Sequence, residues 1–106
     1  MAEEIVVLIT ASSIEEARKL GKELVQAKLA ACVNVIPEII SIFNWQDEVC
    51  EEGEVLMIVK TSGEKFSALE KKIKKEHSYD VPEIIALPIV AGSKEYLNWI
   101  QKETRA

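Results

Sequence analysis

Two stretches of this chain echo each other, Glu4-Ile-Val-Val-Leu-Ile-Thr10 and Glu54-Val-Leu-Met-Ile-Val-Lys60. Each holds a continuous apolar run, the pattern of a central strand covered on both faces. Each is followed by a stretch of helical periodicity and then by another extended stretch. The predicted order is therefore β-α-β-β-α-β plus a terminal helix: an α+β, ferredoxin-like βαββαβ sandwich with an extra C-terminal helix. At 106 residues the chain reads as a single domain, 1–106, long enough for one two-layer core.

The intervening segments carry their own punctuation. Ser12 and Ser13 each precede a glutamate by three residues (Glu15, Glu16), the capping-box pattern that opens a helix. Ile14, Ala17, Leu20, Leu24 and Ala27 then recur at helical spacing. Gly21 weakens that helix by roughly 1 kcal/mol relative to alanine unless close packing on the sheet requires it. Cys32 to Ile36 reads as a second strand, interrupted by Pro37 and resumed from Ile39 to Trp45. A proline in mid-strand implies an edge position or a bulge. The whole segment exceeds an average strand of ~6 residues, and a long bent strand protruding from a small domain is expected to pair with something. An acidic loop, Gln46 to Gly53, is expected to lead into the third strand, Val55 to Val59.

Phe66, Leu69, Ile73 and His77 mark the buried stripe of a second helix, with Lys71, Lys72, Lys74 and Lys75 outside. Pro82 and Pro88 bracket a last strand, Ile84 to Leu87, because proline removes a donor and holds its predecessor extended. Gly92-Ser93 opens a final helix bearing Tyr96, Leu97, Trp99 and Ile100. Two helices cover one face of such a sheet and the third covers only part of the other. Strands apolar on both sides therefore predict an oligomer.

Charge and composition remove several function classes. A net charge of -5 and a pI near 5.0 disfavour nonspecific nucleic-acid binding. No apolar run approaches the ~20 residues that span a bilayer, and Met-Ala-Glu-Glu lacks the basic start of a signal peptide. Cys32 and Cys50 form no Cys-x-x-Cys, which favours a reduced, cytoplasmic setting. A copper chaperone of this topology carries that motif in its first loop, here Thr10 to Ser13. An RNA-recognition motif needs aromatic residues on its central strands and a basic surface. An acylphosphatase-like enzyme needs an arginine in the first loop, and the arginines are Arg18 and Arg105.

Polar chemistry concentrates between the second helix and the last strand. The only histidine, His77, stands beside Tyr79, Asp80 and Glu83. His77 suits a metal ligand or general acid–base, but no second histidine or thiol lies at ligand spacing, so a packed helix-terminal histidine is the simpler reading. Tyr79, Asp80 and Glu83 are ordinary loop groups singly and a polar pocket together. Cys32, between apolar neighbours, reads as a structural thiol, and Cys50 as an exposed one. Asp47, Glu48, Glu51, Glu52 and Glu54 lack the spacing of a calcium loop and read as solvated surface. The Thr10–Ser13 turn offers helix N-terminal donors to an anion, without a glycine fingerprint or a basic partner.

Four blocks in order, Leu29-Ala-Ala-Cys-Val-Asn-Val-Ile-Pro37, Glu54 to Thr61, His77-Ser-Tyr-Asp-Val-Pro-Glu-Ile-Ile-Ala-Leu-Pro88 and Tyr96-Leu-Asn-Trp-Ile100, resemble the CutA divalent-cation-tolerance family from about Ile5 to Ile100. The resemblance implies a ferredoxin-like protomer, a tight homotrimer shaped like the PII signalling proteins, and a non-enzymatic role in copper or divalent-metal tolerance. The sequence differs at several motif positions: Glu38 stands for a glycine, Phe43-Asn44-Trp45 for Tyr-Trp-Trp, and His77-Ser78-Tyr79-Asp80 for His-Pro-Tyr-Glu. Where some members carry a cysteine and two adjacent histidines as a proposed copper site, this chain has Ile9, Glu76 and His77.

The resulting expectation is a divalent cation such as Cu²⁺, or a small ligand, held weakly at intersubunit clefts. His77 and Glu83 are the metal candidates, and Cys32, Trp45, Tyr79, Asp80 and Trp99 are further pocket candidates. Trp45 and Trp99 are expected near subunit boundaries. The other reading is a structural or signalling module that acts by binding a partner protein.

Overall fold

The computed structural model describes residues 3–105. Its strands are β1 (Glu4–Ala11), β2 (Cys32–Trp45), β3 (Glu48–Ser62) and β4 (Ile84–Pro88). Its helices are α1 (Ile14–Gln26), α2 (Phe66–Glu76), entered through a 3-10 turn at Gly63–Lys65, and α3 (Lys94–Glu103). The strands form one antiparallel sheet in the order β2-β3-β1-β4, so the two echoing runs are its central pair. This is the ferredoxin-like arrangement with an added C-terminal helix.

Alternation along the central strands makes the core. Ile5, Val7 and Ile9 of β1 and Val55, Met57 and Val59 of β3 are buried on the face that meets Leu20 and Leu24 of α1 and Leu69 and Ile73 of α2. At about 1.5–3 kcal/mol for each fully buried aliphatic side chain, this layer is the main stabilising term. Gly21 is where α1 presses closest: a Cβ there would lie 3.3 Å from Val33 Cγ1. Close packing is thus the reason for a glycine inside the helix. The two helices are also tied by charge, Lys72 Nζ of α2 lying 3.4 Å from Glu23 Oε1 and Lys19 Nζ of α1 lying 3.3 Å from Glu76 Oε1.

Helix α1 ends in a left-handed turn at Lys28 (φ 59°). The Lys28 N–H donates to the Val25 carbonyl and the Leu29 N–H to the Leu24 carbonyl, which is the Schellman pattern.

β2 is an edge strand with a register shift between Ile36 and Ile39 opposite Leu56 and Glu54. Both readings of the mid-strand proline therefore hold. The bulge inserts one extra residue, which switches the facing of the strand. Cys32, Asn34 and Ile36 share a sheet face with Ile39, Ser41, Phe43 and Trp45, while Ile40 and Ile42 turn to the other.

The expected acidic loop from Gln46 to Gly53 is corrected by the structure. Only Gln46 and Asp47 form the turn, both with positive φ (51° and 65°), and β3 begins at Glu48. Two residues of that conformation match the twist of a hairpin. The pairing of Trp45 with Glu48 and Asn44 with Val49 extends the ladder to the tip. Cys50 accordingly lies in a strand opposite Phe43, not in a loop. The result is a two-stranded arm that lengthens the molecule to 44 Å against 26 and 22 Å across.

The second sheet face is covered only in part by α3. Gln101 Nε2 donates to Glu4 Oε2 at 2.7 Å, and Thr104 Oγ1 lies 3.3 Å from Ser62 Oγ, both at one end of the sheet. Ile85 and Leu87, opposite Leu8 and Val6, are half exposed. Among the described residues no helix is long and apolar enough to cross a membrane.

Candidate functional site

The end of α2 delivers the polar segment to the mouth of the sheet. His77 is the C-cap of α2, extended at φ -75° and ψ 146°, and its N–H still closes the helix onto the Ile73 carbonyl at 2.8 Å. Its side chain is completely buried. Nε2 lies 2.7 Å from the Thr10 carbonyl oxygen, which can only accept, so Nε2 carries the proton. Nδ1 accepts the N–H of Tyr79 at 3.0 Å. Both nitrogens of a neutral imidazole are thus used within the chain, and the Tyr79 ring packs against it, tilted by 50° with the ring centroids 4.7 Å apart. Glu16 Oε2 stands 3.8 Å from Nδ1. As placed, His77 anchors the loop that follows it.

Glu16 holds the same loop from the other side. Ser13 Oγ caps α1 by accepting the Glu16 N–H at 3.1 Å. The Glu16 carboxylate reaches back to Ser12 N–H at 2.9 Å and Ser12 Oγ at 2.9 Å. It also accepts Ser78 N–H at 2.8 Å and Ser78 Oγ at 3.1 Å. Burial by itself would raise this carboxyl, but the donors of Ser12 and Ser78 outweigh it and hold the pKa at about 2. A carboxylate already occupies the start of α1, and Glu38 and Glu54 line the adjoining hollow. The turn therefore does not receive an anion.

Beyond His77 the chain opens into a cleft of about 680 Å³ between the 79–83 segment and the root of the arm. Tyr79, Asp80 and Glu83 form one side, and Ser41, Phe43 and Trp45 of β2 the other. Glu54 of β3 and Thr10 of β1 close its base. Tyr79 Oη donates to Glu54 Oε2 at 2.7 Å. Burial, then the Glu54 carboxylate, pushes the Tyr79 phenol up to about 12. Asp80 and Glu83 are exposed. Among the described residues no three His, Cys, Asp or Glu side chains converge to hold a metal ion.

Four of the seven residues singled out in the sequence therefore meet in this cleft: Trp45, Tyr79, Asp80 and Glu83. His77 lies behind its wall. Cys32 and Trp99 lie elsewhere. Cys32 is half-buried opposite Lys60, with its thiol 3.7 Å from Asn34 Oδ1, and Lys60 Nζ donates to that same oxygen. Trp99 pairs with Tyr96 on α3 at 5.5 Å. Sequence reasoning missed Glu54 as a site residue and Glu16 as the loop's clasp. Glu16 did carry a local signal in the capping box, but nothing local points to Ser78. Glu54 was hidden among acidic neighbours.

The pattern of the family described as "CutA1 divalent ion tolerance protein" matches residues 5–103. The chain belongs to that family. Among curated CutA proteins it is 50% identical over 101 residues to the divalent-cation tolerance protein CutA of Thermus thermophilus, covering 95% of this chain and 98% of that one. It is 45% identical to the chloroplastic protein CutA of Arabidopsis thaliana, covering 95% of this chain but 56% of that longer protein. The solved Thermus thermophilus CutA1 superposes with a TM-score of 0.94 over 96% of this chain and 99% of that one, at 50% identity. The structure named as the periplasmic divalent cation tolerance protein CutA of Archaeoglobus fulgidus gives 0.93 at 43% identity, covering 96% and 99%. The CutA fold thus extends along the arm as well as the core.

Proposed function

We propose that this chain acts as a non-enzymatic homotrimer in divalent-metal tolerance or homeostasis, copper in particular, and holds a metal ion or small ligand in clefts that neighbouring subunits complete. The observation that carries this reading is the open cleft in which Glu54, Asp80 and Glu83 bring oxygen donors beside Tyr79. Among the described residues one chain supplies no closed ligand set, so further ligands come from a neighbour. Asp80 and Glu83 are the free donors, and His77 positions them from behind while its nitrogens remain engaged. Few and mostly oxygen ligands make the site weak, with Cu²⁺ favoured over Zn²⁺ by the general divalent order.

Assembly is supported by the arm. Ile40, Ile42 and Trp45 are 68%, 67% and 63% exposed in one chain, and β2 and β4 both present open edges. Pairing with neighbouring copies removes such edges and covers such side chains. Trp99, 39% exposed on α3, faces the same fate. Free Cys32 and Cys50 support a reducing, cytoplasmic setting.

Calorimetric titration of Cu²⁺ into the assembled protein tests the reading. Saturable stoichiometry per trimer is expected, with affinity falling about tenfold or more in Asp80→Asn/Glu83→Gln. A folded monomer by light scattering at micromolar concentration would defeat the assembly. An intact trimer that binds no divalent ion at millimolar levels would favour an interaction module that presents its arm to a partner protein.

A further inference from the structure

The cleft does not end at the Tyr79–Glu54 bond. A second hollow of about 320 Å³ lies along β3 and shares Phe43, Trp45, Glu54 and Tyr79 with the first. Together they form one trough with carboxylates along its length: Glu52 in the second hollow, Glu54 common to both, and Asp80 and Glu83 in the first. Glu52 and Glu54 share one side of β3 and stand about 7 Å apart, at ~3.4 Å per residue. Tyr79 engages Oε2 of Glu54, and the other carboxylate oxygen remains an acceptor. Among the described residues no lysine or arginine lines either hollow.

Aromatic surface separates these charges. Phe43, Trp45 and Tyr79 border both hollows, and Phe43 and Trp45 are exposed in one chain. A hard metal ion needs its oxygen ligands gathered around one point, whereas among the described residues these carboxylates are strung out. Such a series suits an extended organic cation. Its ammonium groups meet the carboxylates and the electron-rich ring faces, and its methylenes lie against the rings. Pairing of neighbouring copies at the β2 edge is compatible with this ligand. An added strand bonds in the plane of the sheet, while Ser41, Phe43 and Trp45 stand out of that plane. A neighbour paired there walls the trough and leaves its floor to the ligand.

Resting on the reading of the cleft as the binding site, we propose that its ligand is an aliphatic polyamine. Ammonium groups sit at Glu52, Glu54 and the Asp80–Glu83 pair, and methylenes lie against Phe43, Trp45 and Tyr79. Spermidine is the probe. Mg²⁺ supplies charge without methylenes, and octanediol supplies methylenes without charge. Calorimetric titration of the assembled protein should show one saturable spermidine site per chain, with both controls weaker by about tenfold or more. In a Trp99→Phe chain Trp45 is the only tryptophan, and its emission should change as spermidine saturates. Asp80→Asn/Glu83→Gln should weaken spermidine by about tenfold or more. Trp45→Leu, which keeps an apolar side chain but loses the ring, should weaken it by about threefold or more. Light scattering checks that the variants stay assembled; if Trp45→Leu dissociates, the Trp45 emission and the ligand series decide. Unchanged affinity in an assembled variant, a silent Trp45, or equal binding by Mg²⁺ or the diol would overturn the proposal. Cu²⁺ titrated in parallel separates the two readings. Saturable Cu²⁺ without spermidine would sink the polyamine and leave the cleft a metal site. Spermidine without Cu²⁺ would uphold the polyamine alone, and no binding of either would end both.

Discussion

Tyr79 Oη donates to Glu54 Oε2 at 2.7 Å and so fastens the loop after α2 to the root of the arm. The contact joins residues 25 apart in the chain. It also fixes one of the three carboxylates of the cleft, while Asp80 and Glu83 stay exposed.

Tyr79→Phe keeps the ring over His77 and deletes only this donor. A hydrogen bond to a charged group is worth about 1.5–3 kcal/mol, and partial solvent access puts the expected loss near the lower end. The Tyr79 pKa is raised from 10.0 to about 12, by burial and then by Glu54. Its contribution is therefore complete below pH 10 and declines as pH rises towards 12. Denaturant melts at several alkaline pH values should show this decline in the parent chain and a flatter profile in Tyr79→Phe.

Glu16 gives the opposite signature in acid. Its carboxyl drops from 4.5 to about 2 despite burial, because Ser12 and Ser78 donate to the ionised form. A lowered folded-state pKa contributes stability that is fully present above pH 4.5 and lost as pH falls towards 2. With the side chain 14% exposed, the contribution is about 2 kcal/mol at neutral pH. Glu16→Gln should lose most of it and flatten the acid limb. An unchanged acid limb would show that Ser12 and Ser78 do not hold the carboxylate in solution.

At the end of α1, Lys28 sits at a left-handed position that glycine takes without a steric penalty. Its side chain is exposed, so nothing packed is lost on its removal. Lys28→Gly should stabilise the chain by about 0.5–1 kcal/mol, the relief of strain being partly offset by the greater freedom of the unfolded glycine. The midpoint of urea unfolding at unchanged slope measures it.

On the arm, Ile42→Lys separates one chain from an assembly. In a single protomer Ile42 is 67% exposed and a lysine there is nearly neutral. Between subunits the same lysine must bury an unpaired charge or dissociate the copies. Light scattering at micromolar concentration should find the variant dissociated or unfolded. An intact trimer with parent-like stability would place Ile42 outside any interface.

The sequence made the central strands, the three helices and the strand between the two prolines legible, because each rests on local periodicity or on proline and capping chemistry. The arm was less legible. Glu48, Glu51 and Glu52 look like solvated loop, yet they are strand because β2 supplies a backbone ladder beside them. The tip lacks the Asn-Gly signature of its turn type, and Gln46 and Asp47 adopt positive φ regardless. Pro37 announced an irregularity, but the change of facing it brings to Ser41, Phe43 and Trp45 depends on the register with β3.

By itself, then, the sequence determined a βαββαβ chain with a C-terminal helix, an acidic exterior and a polar segment next to its only histidine. Local patterns suffice for these because backbone geometry and burial repeat at short range. Tertiary structure alone decided what the polar segment does. His77 meets the carbonyl of Thr10, 67 residues away, and Glu16 meets Ser78 across 62 residues. Those pairings depend on how β1, α1 and α2 dock, and no spacing along the chain encodes them. Docking turns the histidine into a buried anchor and leaves Asp80 and Glu83 exposed in the cleft.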